Sequence, residues 1–446
     1  MTGRDESVSE ALAAARQAAQ RRVQHGAEDR RIALSFTQLP AYQESERIRR
    51  AAALIGVTDP FFRCHEGHAA ARTRIAGREV LNFASYDYCG LNADPRVGDA
   101  AKAAIDVFGT SPSGSRLVAG SRPIHDDLEL ALARHYGAQA ALTFVSGHST
   151  NVSTIGHLMG EGDLILFDSL CHNSIQVGMK LSGAARRAFP HNDMKALEAL
   201  LAENRGRFRH TLIVTEGLFS MDGDVPPLAA LVALKQRFGS WLMVDEAHAL
   251  GCVGPGGLGS FALEGIDRGE VDIWMGTLSK TLAATGGFIA GSAALIDILR
   301  GHASGFVYSV ALAPALAAAA LCALELLGRE PERAAKLQAN SALFLDEARK
   351  AGLDTGTAGP YGILPVLVGD TLIATKLSER LLERGFNVMP VMFPAVPMRG
   401  ARLRFFLSAL HEAEEIREAV SQTAEELRDL KQSGFGAALP PSLIGL

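Results

Sequence analysis

From about residue 78 the chain alternates short apolar runs with stretches whose apolar positions recur every three or four residues. Residues 140–145, 164–167, 211–214, 241–245, 271–275 and 287–290 are near-continuous apolar runs of strand length. The intervening stretches 124–134, 149–157 and 228–237 carry helical spacing. Apolar runs without polar alternation, separated by helices, predict a mostly parallel sheet covered by helices on both faces, an α/β fold. After 311–327 the pattern changes. Residues 328–432 hold two long helical stretches around short strands such as 363–368 and 402–407, which predicts a smaller α+β domain.

The first 75 residues read as an N-terminal helical arm. Ser7-x-x-Glu10 is a capping-box pattern ahead of an alanine-rich helix. A second helical pattern covers 43–54, and Thr58-Asp59-Pro60 breaks it. The arm is either a surface helix or a docking helix for a carrier protein or a second copy of the chain. The expected division is an arm over 1–75, a large domain over 76–327, a small domain over 328–432 and a tail over 433–446.

Composition narrows the function classes. The 446 residues are 48% hydrophobic and carry a net charge of −5, so no basic face is offered to nucleic acid. The five cysteines (Cys64, Cys89, Cys171, Cys252 and Cys322) form no CxxC pair, which predicts a reduced, cytoplasmic protein with no structural metal. No apolar run is long enough to span a bilayer, and residues 1–29 lack an apolar signal core.

Ser146, Glu216, Asp245 and Lys280 each follow a predicted strand, and in open α/β sheets ligands collect at the carboxyl ends of strands. Lys280 lies 280 − 245 = 35 residues after Asp245. A carboxylate at one strand end and a lysine after the next suit pyridoxal phosphate (PLP). The lysine forms a Schiff base, and the aspartate keeps the pyridine nitrogen protonated. Taken singly, Asp245 reads equally as a loop cap and Lys280 as a solvated lysine. Ser146-Gly147-His148 opens a predicted helix whose first N–H groups suit a phosphate, and the Thr277 and Ser279 hydroxyls add donors. His172 either stacks on the pyridine face opposite the lysine or is a satisfied loop residue. His248 and Ser220 are placed to reach the ring hydroxyl or the substrate. Arg402 and Arg404 share one face of a predicted strand. Arg404 there either grips an amino-acid carboxylate bidentately or forms a surface salt bridge.

These residues stand in a longer series: Gly109-Thr110-x-x-x-Gly114-Ser115-Arg116, Ser146-Gly147, His172-Asn173-Ser174, Thr215-Glu216-Gly217-x-x-Ser220-Met221-Asp222-Gly223, Asp245-Glu246-Ala247-His248, Thr277-x-x-Lys280 and Tyr308-Ser309. In that order, over roughly residues 60–430, the chain resembles the α-oxoamine synthase family of fold-type I PLP-dependent transferases. The resemblance implies that Lys280 is the Schiff-base lysine and general base, and that Asp245 is the pyridinium partner. It implies that His172 stacks on the ring while His248 and Ser220 flank its hydroxyl. Thr277 and the amides of Gly147 and His148 would hold the phosphate, Ser309 would reach the phosphate of a neighbouring subunit in a homodimer with a shared site, and Arg404 would hold the substrate carboxylate.

The activity implied is decarboxylative Claisen condensation of glycine, alanine or serine with an acyl thioester, on coenzyme A or an acyl carrier protein, giving an α-amino ketone and CO₂. His148 and Met392 depart from the common pattern, where an aromatic residue and, in bacterial serine palmitoyltransferase, an arginine stand. The stretches 144–152, 116–120 and 272–276 are similar to synthase domains of polyketide assembly lines. That implies a carrier-protein donor and a role in secondary or lipid metabolism, outside primary biotin or haem synthesis. Tyr86, Ser113 and Met392 are candidates for the side-chain pocket. Still open are a serine palmitoyltransferase or 8-amino-7-oxononanoate synthase proper, a PLP aminotransferase or decarboxylating lyase, and a non-catalytic partner subunit, which would lack Lys280.

Overall fold

Helix starts punctuate the chain where short polar side chains take up the free N–H groups of a first turn. Asp94 accepts from Arg96 N, Ser146 from Ser149 N, Asp193 from Ala196 N and Ser292 from Leu295 N. Between such starts run the strands of the main sheet: β1 (Ala140–Phe144), β2 (Leu164–Asp168), β3 (Ala185–Phe189), β4 (Thr211–Glu216), β5 (Trp241–Asp245), β6 (Ile273–Thr277) and β7 (Gly287–Gly291). The computed structural model describes residues 35–54 and 56–435, so the helix expected after Ser7 lies outside the described residues.

The seven strands lie in the order β1-β7-β6-β5-β4-β2-β3. The strands β3, β2, β4, β5 and β6 run parallel, as expected. β7 runs antiparallel to both β6 and β1. The link 278–286 between β6 and β7 is too short for a parallel crossover, which needs a dozen or more residues. β6 starts two residues later than the apolar pattern suggests, because Asp272 is spent on Leu242 N (2.7 Å) and on Lys235. Side chains alternate between two apolar cores. Leu242, Val244 and Trp274 face one, Met243, Ile273 and Met275 the other.

Two smaller sheets flank the lysine. Arg72–Ile75 and Arg78–Asn82 form a hairpin that turns through Ala76 (φ 50°) and Gly77 (φ 74°), and Phe386–Asn387 adds to it in parallel. The boundary expected at 75 therefore falls inside a hairpin. β8 (Ile363–Gly369), β9 (Met389–Val391) and β10 (Ala401–Phe406) form an antiparallel sheet in the order β8-β10-β9. Its core joins Leu403, Phe405 and Phe344 to Phe83, Tyr88 and Leu218 from earlier in the chain. The described residues from Pro60 onward form one compact unit, and those before it belong to another. In the latter, the helical pattern expected at 43–54 is a helix over Pro40–Leu54. No helix among the described residues is long and apolar enough to cross a membrane.

The loop after β4 is clamped by a histidine held between two carboxylates. His191 Nδ1 lies 3.0 Å from Asp168 Oδ1 at the end of β2, and Nε2 lies 2.9 Å from Asp224 Oδ2. Burial pulls this imidazole down, but the Asp168 and Asp224 carboxylates outweigh it and raise it to about 10. The ring therefore holds its proton more tightly folded than unfolded. Its contribution to stability is complete below about pH 6.5 and is lost as pH rises through about 10. Urea titrations across that window should show the wild type losing stability more steeply than His191→Asn. Parallel pH profiles would remove the clamp.

Candidate active site

Asp245 ends β5, level with Glu216 at the end of β4 and Met275 on β6. Thr277 ends β6, and Lys280 follows on the short link to β7. A buried strand end supplies a carboxylate with few escape routes to water, so its partners come from neighbouring elements. Asp245 Oδ2 accepts from Asn151 Nδ2 at 2.8 Å, and Oδ1 accepts from Ala247 N at 2.9 Å. Asn151 reaches across from the helix Gly147–Leu158 that follows β1.

The other N–H of the Asn151 amide goes to Ser174 Oγ at 3.0 Å, which lies 2.7 Å from His172 Nδ1. The main-chain N of Ser174 also donates to that Nδ1 (3.2 Å). With Nδ1 accepting a main-chain N–H, the proton of the neutral ring sits on Nε2. Desolvation lowers the His172 imidazole, against the pull of Asp245. Its main chain is pinned as well, for His172 N donates to Glu216 Oε1 at 2.6 Å. Burial, then the Asp245 charge, pushes Glu216 well above the usual carboxylate range.

Loss of water around the Lys280 amine lowers it to about 8, although the Asp245 and Glu216 carboxylates act to raise it. A substantial fraction is therefore a neutral amine near physiological pH, able to act as a nucleophile or base. Its Nζ lies 5.7 Å from the centre of the Tyr86 ring. A cavity of about 310 Å³ opens there, lined by Tyr86, Ser279 and Lys280 with His65, Asn82 and Ala283. Tyr86 also meets His248 edge-on at 5.9 Å and Phe406 at 4.7 Å. The buried His248 is lowered well below its ordinary value by desolvation, then by the Lys280 and Arg404 cations.

The two β10 arginines separate sharply. Arg402 is spent on Asp222 Oδ1 (2.7 Å) and the Met221 carbonyl (3.0 Å). Arg404 donates through Nη1 to the Ser220 carbonyl at 2.9 Å, while its buried Nε has no partner. That orphaned donor suits a carboxylate, so of the two only Arg404 keeps the binding capacity expected of it. Ser220 meets it through its main chain.

At the start of the Gly147–Leu158 helix, Ser146 Oγ takes Ser149 N (3.0 Å), leaving the Gly147 and His148 amides at the tip. Thr277 Oγ1 and Ser279 Oγ lie 2.7 Å apart beside it. A Cβ on Gly147 would come within 2.9 Å of Thr277 Oγ1, so only glycine lets the helix tip and the threonine share this corner. His148 is exposed at the tip, and Ser309 lies apart, half-buried between the exposed Tyr308 and Val310. These residues fit PLP: a helix tip and two hydroxyls for the phosphate, a carboxylate for the ring nitrogen, an amine with a lowered pKa, and an unspent guanidinium donor. Asn151 and Tyr88, the hydroxyl partner of His248, went unread in the sequence. Neither periodicity nor spacing marks them.

The aminotransferase class I and II family profile matches residues 78–422. The 8-amino-7-oxononanoate synthase of Methylobacterium nodulans is 44% identical over 357 residues, covering 80% of this chain and 89% of that protein. Among solved structures, the serine palmitoyltransferase of Sphingomonas wittichii, 31% identical, superposes with a TM-score of 0.84 over 89% of this chain and 99% of its own. A lysine-to-alanine variant of the serine palmitoyltransferase of S. paucimobilis with a bound PLP–myriocin aldimine, 28% identical, gives a TM-score of 0.84 over the same 89% of this chain and 99% of its own. The chain belongs to the aminotransferase class I and II family, in its α-oxoamine synthase branch.

Proposed function

We propose that this protein condenses a small amino acid with an acyl thioester, releasing CO₂ and the free thiol and leaving an α-amino ketone. The observation that carries this reading is the desolvated Lys280 amine, lowered to about 8, beside the buried Asp245 carboxylate. PLP, when bound, supplies an electron sink for the bonds around the amino acid's Cα. Asp245 would hold its ring nitrogen, the Gly147 and His148 amides with Thr277 and Ser279 its phosphate, and Lys280 its aldehyde carbon.

The chain's own groups do the rest. Arg404 fixes the amino-acid carboxylate, which orients the bonds at Cα. Lys280, close to half neutral near its pKa, takes the Cα proton and returns one at the end. His172, with its proton on Nε2, offers a donor to oxygen anions that develop nearby. Tyr86, beside the Lys280 amine, packs edge to face on the buried Phe406 at 4.7 Å.

The amino acid is glycine, alanine or serine, and the acyl donor is a thioester of coenzyme A or of an acyl carrier protein. The name of the M. nodulans relative describes an amine and a ketone on adjacent carbons, the product class of this reaction, and favours an 8-amino-7-oxononanoate-type product. The likeness of 144–152 to polyketide-associated synthases favours the carrier-bound donor. We place the protein in the cytoplasm, a reading supported by its five free thiols. A homodimer is proposed as the working form. Leu117, Val118, Tyr308 and Val310 are exposed by 60%, 83%, 87% and 51%, and Ala311 N bonded to Gly114 O joins their two segments into one apolar patch. A second copy seated there would bring Ser309 towards the neighbouring site.

Lys280→Ala should lose the visible absorption of the PLP-loaded protein together with thioester-dependent CO₂ release. Retained absorption would overturn the assignment, and a keto-acid-dependent reaction without CO₂ would point to a transaminase. Gly147→Ala should weaken PLP binding about tenfold or more in a fluorescence titration, since it displaces donors to a charged phosphate. Tyr308→Asp should shift the sedimenting species to monomer, and an unchanged dimer would place the interface elsewhere.

A further inference from the structure

Tyr88 stands outside the motifs that mark the site. Its ring is fully buried, 6.1 Å from Phe406, and the Gly362 backbone packs so closely that a Cβ there would come within 3.0 Å of the ring. Its hydroxyl lies 2.7 Å from His248 Nδ1, 160 residues away in sequence. Among the described residues this is the only hydrogen bond of that hydroxyl. A phenol carries one proton. If it accepted from Nδ1–H, its own proton would be buried without an acceptor; if it donates, only lone pairs go unused. Burial also pushes the Tyr88 phenol well above its ordinary value, so the proton stays on oxygen.

Nδ1 of His248 is therefore an acceptor, and the single proton of the neutral ring is on Nε2. Nε2 makes no hydrogen bond to the described protein, nor is it sealed off as a buried, unpartnered atom. Tyr86 adjoins both groups, with the His248 ring centre 5.9 Å and Lys280 Nζ 5.7 Å from its own ring centre. The charged and titratable groups around His248 are Lys280, Arg404, His172, Tyr86 and Tyr88. The three nearest ionisable bases act against a second proton on the ring.

We propose that Tyr88 is a positioning residue that locks His248 as a fixed Nε2–H donor towards an oxygen anion beside Lys280, and so bars His248 from acid–base work. This rests on the catalytic reading above, in which proton transfer belongs to Lys280. Without Tyr88 the imidazole is free to carry its proton on either nitrogen, and in the wrong form it presents a lone pair to that oxygen.

The test starts with the PLP-free protein, labelled with ¹⁵N-histidine and assigned with His248→Gln. The wild type should show a single Nε2–H form of His248, and Tyr88→Phe, which keeps the ring in its packing, should show a mixture of tautomers. In the loaded enzyme Tyr88→Phe should lower kcat about tenfold, the worth of one hydrogen bond to a charged oxygen. In the His248→Gln background it should change nothing further, because an amide has no tautomer to set. An unchanged tautomer in Tyr88→Phe, or an equal loss of kcat in both backgrounds, would overturn the proposal. A wild type that takes up no PLP would count against the catalytic reading, while the tautomer measurement would still decide the role of Tyr88.

Discussion

A carboxylate with almost no access to water, at the end of the central strand β5, constrains everything around it. Asp245 cannot rely on solvent, so the chain brings donors to it from outside its own strand. The amide that does so, on Asn151, is shared with Ser174, and through Ser174 with the His172 ring. Holding one buried anion thus orients the histidine as well. Glu216, level with Asp245 on the adjacent strand, is pushed by burial and then by the Asp245 charge towards its protonated form, and it pins the His172 main chain. The Asp245 carboxylate foremost restrains the fall of Lys280, whose amine stays at about 8.

The antiparallel β7 serves this arrangement. Because the chain returns at once from β6, Lys280 sits on a link fixed at both ends by the sheet, with Thr277 Oγ1 bonded to Gly286 O at 2.9 Å across it. A lysine on a long crossover would have to be ordered at a larger entropic cost. On the other side of the site, the loop 217–224 is held by the His191 clamp and by Arg402, which leaves Arg404 as the arginine with a donor to spare.

How much was legible in the sequence follows from which residues lie between two apolar faces. Six of the seven main-sheet strands are near-continuous apolar runs and could be read directly, whereas the edge strand β3 carries the exposed Arg186 and Arg187 and went unread. The hairpin 72–82 is different: Arg72, Arg74, Arg78 and Glu79 occupy its exposed positions, and their charges hide the strand pattern. Asp245 and Lys280 were legible because their chemistry demands a strand end and a fixed order along the chain. Alternation alone puts Arg402 and Arg404 on one face; the family resemblance singled out Arg404, and the pairing of Arg402 with Asp222 sets the two apart in the structure. Asn151 sits mid-helix and Tyr88 acts on a histidine far along the chain, so both depend on tertiary contacts that no local pattern records.

The parallel pairing of Phe386–Asn387 with Leu81–Asn82 binds an early strand to a very late one. On the ribosome, residue 82 emerges 387 − 82 = 305 residues before its partner. At about 5–20 residues per second that is roughly 15–60 s with an open sheet edge. Over that interval the nascent hairpin offers unpaired main-chain groups to any passing chain, and its charged arginine face is what keeps such encounters from becoming permanent.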